Sequence, residues 1–142
     1  MEAELHLALI RTFHAQKNKT RPGMTEIGLT PGQPKVLRYL SRHNCCMQKE
    51  IAEALDIEPA TVSQILNNMT QAGLVRKSEH AERRRAESVS ITEKGRDCLE
   101  KWVQLCDRID EISLAGFTPE ERQQFFDYFG RMYRNLTGKS LE

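Results

Sequence analysis

The chain has no run of about eighteen consecutive apolar residues, so no segment of it reads as a membrane-spanning helix. Neither charge is in excess: 21 Lys and Arg oppose 20 Asp and Glu, a net of +1. The average therefore does not advertise a polyanionic partner, and only a local basic face can speak for one. Also missing are the spacings of catalysis, with no nucleophile–base pair, phosphate-cradling glycine loop or His-Glu-x-x-His motif. The expectation is a protein that is not an enzyme. Nor is there a disulfide framework. Cys45 and Cys46 are neighbours that bridge only with strain, and Cys98 and Cys106 fall on one expected helix, roughly 12 Å apart along its axis, beyond the ~7 Å a bridge spans. Reduced thiols and a cytoplasmic location are expected. The first residues, MEAELHLALIR, put acid before the apolar stretch, the reverse of a secretory signal. Internal repeats and low-complexity segments are absent, and 142 residues suit one well-buried domain.

What is present centres on Met47–Gly73, MQKEIAEALDIEPATVSQILNNMTQAG. Ile51, Ala52 and Leu55 fall on one face of a short helix, with Lys49, Glu50 and Glu53 opposite. Asp56-Ile57-Glu58 makes a turn, and Pro59 stands at a first helical position, where a missing N–H costs nothing. The second helix buries Val62, Ile65, Leu66 and Met69 at intervals of three and four, and Gly73 is its left-handed stop. At about 100° per residue, Ala60, Gln64, Asn67 and Gln71 point away from that stripe, flanked by Thr61, Ser63 and Asn68. A solvated face usually carries Lys and Glu; this one carries only hydroxyls and amides. Such groups donate and accept, which suits phosphate oxygens and base edges in a major groove. The arrangement is that of a helix–turn–helix, with a plain helical hairpin in an all-α core as the alternative.

Around this unit, Glu2 to about Lys17 reads as a helix with two apolar stripes, Leu5–Leu9–Phe13 and Leu7–Ile10–His14. Asn18–Gly28 reads as a loop. Thr30-Pro31 opens a helix buried through Val36, Leu37 and Leu40. His43–Cys46 is a link. After Gly73, Leu74–Lys77 and Glu87–Ile91 are strand candidates, joined by a charged tip that holds Arg83, Arg84 and Arg85, which together look like a wing. From Gly73 to Cys98 there are seven basic residues against five acidic, whereas from Leu99 onward the balance is six against eight. Thr92 caps a helix from about Glu93 to Leu114, and Thr118-Pro119-Glu120-Glu121 is a capping box opening the last helix. That helix carries Phe125, Phe129, Met132 and Leu136, with Phe126 and Tyr133 beside them. Apolar arcs this wide at both ends of the chain suggest a twofold interface. The fold class is mainly α with a small β-hairpin wing: one domain over 1–142, with a winged lobe at 30–92 and dimerisation helices at 1–28 and 97–142.

The order and spacing of these pieces resemble the MarR family of bacterial transcriptional regulators. The resemblance is carried by Leu29-Thr30-Pro31-Gly32-Gln33-Pro34-Lys35-Val36-Leu37, Gln48-Lys49-Glu50-Ile51-Ala52 and Pro59-Ala60-Thr61-Val62-Ser63. Gly73-Leu74-Val75-Arg76, Arg84-Arg85-Ala86 and Ser90-Ile91-Thr92-Glu93-Lys94-Gly95-Arg96 complete it. It implies a homodimer on double-stranded DNA, with recognition helices in successive major grooves and wings toward the minor groove. Gln64, Asn67 and Asn68 are then assigned to base edges, Thr61 and Ser63 to phosphates or a mixture, and Arg84 and Arg85 to the wing contact, since a guanidinium fits a narrow minor groove. Members often have arginine where Gln64 stands. Their wing commonly reads Asp-Arg-Arg where Arg83 stands here, so either Glu82 steadies the arginines or the wing is looser.

The resemblance also implies a repressor modulated by a small phenolic or lipophilic ligand, or by cysteine oxidation. His6, Arg11, His14, Tyr39 and Trp102 are the pocket candidates, with ordinary core or interface as the alternative for each. Cys45 and Cys46 are the redox candidates. No metal site or cofactor is expected, because His43, Cys45 and Cys46 are too crowded for zinc and lack a second cluster. The competing function is a winged-helix scaffold that binds protein instead of DNA.

Overall fold

The computed structural model describes residues 4–80 and 83–141, and side chains outside 79–87. Among the described residues, six helices and the strands of a three-stranded antiparallel sheet follow one another: α1 (Glu4–Ile27), α2 (Gln33–Arg42), β1 (Cys46–Met47), α3 (Gln48–Ala54), α4 (Pro59–Gln71), β2 (Val75–His80), β3 (Arg83–Ile91), α5 (Glu93–Ser113) and α6 (Pro119–Thr137). They divide into two units, one reaching to Asp107 and one from Arg108 onward.

The first unit is built on an apolar core. Val36, Leu37 and Leu40 of α2, Ile51 of α3 and Val62, Leu66 and Met69 of α4 are fully buried in it. Leu74, Val75, Val89 and Ile91 close it from the sheet side, and Cys98 and Leu99 from α5. The apolar residues expected to face inward from the helix–turn–helix do so, with Ile65 partly buried at the margin.

Three boundaries differ from the sequence reading. The stretch 18–27, read as a loop from its Pro and Gly, continues α1. Pro22 lacks an N–H for its turn, but Met24 and Ile27 pack on the core and hold the helix across that gap. Gly23 also has a packing reason, since a Cβ there would stand 2.6 Å from Leu105 Cδ2 of α5. α1 ends at Gly28, where the Leu29 N–H donates to the Met24 carbonyl at 3.0 Å. Second, α2 opens at Gln33 and not at Thr30, because Gly32 is left-handed (φ 90°) and cannot be helical. Thr30 does not cap; its backbone N–H donates to Gln33 Oε1 at 3.0 Å. Third, Cys46–Met47 is a strand, paired with β3 through Cys46↔Val89 and Met47↔Ser88, so the sheet order is β1-β3-β2. Two residues carry no readable period.

Thr92 caps α5 as expected, accepting from the Gly95 N–H at 3.1 Å. In the second unit, the α6 capping box is complete: Thr118 Oγ1 accepts from the Glu121 N–H at 3.1 Å, and Glu121 Oε2 accepts from the Thr118 N–H at 2.8 Å. Arg122 pairs with Glu111 at 2.8 Å, which holds the Glu111 carboxyl below its ordinary range. Phe125 packs edge-on against Phe117 and Phe129.

Candidate nucleic-acid interface

α3, a turn and α4 position the candidate surface. The turn is closed by the Ile57 N–H donating to the Ala52 carbonyl at 3.0 Å, with Asp56 at φ 55°. Glu58 is the N-cap residue of α4 and makes no side-chain cap. Pro59 takes the first turn, as its sequence position indicated. With Val62, Leu66 and Met69 at full burial, the opposite face turns outward: Ala60, Thr61, Gln64, Asn67, Asn68 and Gln71 are exposed and Ser63 is half-buried. No residue of α4 is charged.

The far end of α4 is secured by its neighbours. Gly73 takes φ 77°, and the Leu74 N–H donates to the Met69 carbonyl at 2.9 Å. Lys94 Nζ of α5 donates to the Ala72 carbonyl at 2.7 Å, and Oγ1 of Thr92, the cap of α5, donates to the Gly73 carbonyl at 2.6 Å. The carbonyls just past the C-terminus of α4 thus gain a cation and a hydroxyl, the partners that a negative helix end favours. In the sequence Lys94 stands out only within the family resemblance, and a contact across 22 positions leaves no periodic signal.

β2 and β3 pair antiparallel from Val75↔Ile91 to Ser78↔Ser88, with a register irregularity between Glu79 and His80. Arg83, Arg84 and Arg85 were expected in a hairpin tip; their backbone is in β3 instead, and the strands extend to His80 and Arg83. Their side chains, and Glu82, lie outside the described residues. At the base of the hairpin, Lys77 Nζ donates to Asn67 Oδ1 at 2.7 Å, a bond that ties wing to recognition helix.

The five pocket candidates are not brought together in one cleft. His6, Arg11 and His14 are exposed along α1. Tyr39 is half-buried and stacks on His43, with ring centroids 4.5 Å apart, and Trp102 lies against the core. An open cleft lies elsewhere in the first unit, lined by Ser41, Arg96, Leu99, Glu100, Val103 and Gln104. Cys45 is exposed at φ 62°, whereas Cys46 is buried in β1. Burial, and then Glu50 nearby, pushes the Cys46 thiol up to about 11, which leaves little thiolate at neutral pH. Among the described residues there is no group of three His, Cys, Asp or Glu able to hold a metal, and no helix long and apolar enough to cross a membrane.

Residues 27–86 match the model of the MarR family. The chain is 27% identical over 122 residues to the HTH-type transcriptional repressor MdtR of Bacillus subtilis, covering 86% of this chain and 79% of that protein. It is 29% identical over 104 residues to the transcriptional regulator HosA of Escherichia coli, covering 73% and 77%. In structure it is similar to SlyA, with a TM-score of 0.83 at 22% identity over 96% of this chain and 94% of that one. The MepR of S. aureus in complex with DNA gives a TM-score of 0.84 at 22% identity over 92% and 97%. Residues 27–86, spanning the helix–turn–helix and most of the wing, are thus similar to the MarR family, and the winged helix–turn–helix fold is shared with SlyA nearly end to end.

Proposed function

We propose that the protein is a DNA-binding transcriptional regulator that acts by binding and not by catalysis, as a homodimer on a palindromic operator and as a repressor. The observation that carries the reading is the exposed, uncharged, amide- and hydroxyl-bearing face of α4. Side chains of this kind make hydrogen bonds to base edges without competing charge, and phosphate contacts then come from flanking basic residues. Within this reading Gln64, Asn67 and Asn68 address bases, Thr61 and Ser63 phosphates or a mixture, and Arg83, Arg84 and Arg85 the adjacent groove.

The repressor assignment draws support from the name of the relative MdtR, and the DNA assignment from the MepR complex. The dimer draws support from apolar side chains left exposed on α1 (Leu5, Ile10, Phe13) and on α6 (Phe126, Leu136). Modulation by a small phenolic or lipophilic ligand draws on the open cleft that has Leu99 and Val103 in its lining.

The experiment is duplex binding across a salt series. A regulator loses affinity steeply as salt rises, with a log–log slope of about −0.9 per phosphate contacted. A winged-helix scaffold gives no such slope.

A further inference from the structure

A lysine of the wing and an asparagine of the recognition helix meet in this fold. Lys77 in β2 donates from Nζ to Oδ1 of Asn67 in α4 at 2.7 Å. Asn67 is exposed and Lys77 half-buried, so the groove side of the amide stays open. An ammonium group has donors only, so the carboxamide atom facing it is the oxygen. That fixes an orientation an exposed asparagine alone leaves free: the carbonyl is turned to the wing, and the NH2 group remains for a ligand.

The consequence is chemical. An asparagine reads adenine through two bonds at once, its NH2 donating to N7 while its carbonyl accepts from the N6 amino group. Here the carbonyl already accepts from a cation, and adenine would bring a second donor up beside that positive charge. Guanine offers two acceptors, N7 and O6, on the same edge. A carboxamide held as a donor meets either of them without conflict.

We propose that Lys77 is a positioning residue for sequence reading: it holds Asn67 as a donor, so that Asn67 selects guanine over adenine at one base pair of each half-site. The proposal rests on α4 being the element that reads DNA.

The test is selection of bound duplexes from a random pool by the full chain and by Lys77→Met, Lys77→Arg and Asn67→Ala variants at one salt concentration. The wild type enriches guanine at the position whose preference Asn67→Ala abolishes. Lys77→Met moves that position toward adenine, with guanine preference falling about fivefold or more, the scale of one bidentate base contact. Lys77→Arg, again a donor only, retains guanine. Adding Lys77→Met to Asn67→Ala changes nothing further there. Where Lys77→Met does not fold, Lys77→Leu carries the same expectation, again with no donor.

Two results overturn the proposal and are told apart by the wild type. If Lys77→Met weakens all duplexes equally and shallows the salt slope by about one, with preference unchanged, Lys77 is a phosphate contact. If the wild type itself enriches no sequence, the reading of α4 as a DNA element falls, and this assignment falls with it.

Discussion

Two adjacent cysteines show how sharply environment divides identical side chains. Cys45 is exposed, while Cys46 is buried between the core and β3, its thiol raised from about 9 to about 11. Alkylation at pH 8 is expected to modify Cys45 in the native protein and Cys46 only on unfolding, as peptide mass spectrometry reports. Comparable native rates at both would contradict the burial. The pH dependence follows in sign. Below about 9 both folded and unfolded chains hold the Cys46 proton; between about 9 and about 11 only the folded chain does, so stability falls across that window. Urea midpoints at pH 8 and 10, compared with those of a Cys46→Ala variant, isolate the effect. Glu58 makes a second residue-scale case. It is the N-cap residue of α4 without using its side chain as a cap, and its exposed carboxylate would repel a phosphate approaching that helix end. Glu58→Ser is expected to stabilise the fold by about 0.5–1 kcal/mol through the cap, and to tighten binding to every duplex alike. A weaker or sequence-selective effect in titrations would show that Glu58 itself contacts the ligand.

At the scale of elements, α4 owes its placement to how it ends as much as to what it buries. Gly73 at φ 77° lets the chain turn directly into β2, and a side chain there costs about 1–2 kcal/mol of left-handed strain. Gly73→Ala is therefore expected to lower the urea midpoint clearly and Gly73→Asn by less, since asparagine tolerates that conformation; equal losses would point to crowding instead. The wing gives the complementary test. Replacing Arg84 and Arg85 by alanine should weaken binding to all duplexes and shallow the salt slope by up to about one per lost phosphate contact, while Asn67→Ala changes sequence preference. An unchanged slope would remove Arg84 and Arg85 from the interface. These elements also mark what could be read from residues alone. The helix–turn–helix was legible because its stripe, Val62–Leu66–Met69, its Pro59 start and its Gly73 stop all agree. The far half of α1 was not, because Pro22 and Gly23 read as loop residues until Leu105 supplies the reason for the glycine. β1 is too short for any pattern. The Lys77–Asn67 bond joins positions ten apart on different elements, where neither helical nor strand periodicity points.

At the scale of the molecule, the apolar residues that stay exposed on α1 and on α6 are the part that one chain does not explain. In the proposed homodimer a second copy would cover them and bring two α4 helices to two half-sites, so that a surface of small amides gains enough contacts to be selective. Sequencing the duplexes that the purified protein retains from a random pool is therefore the most direct test of this dimer. An enriched palindrome is expected, with half-site centres about 10 base pairs apart, one helical turn. Retention of a single unpaired half-site, or of no preferred sequence, would contradict it.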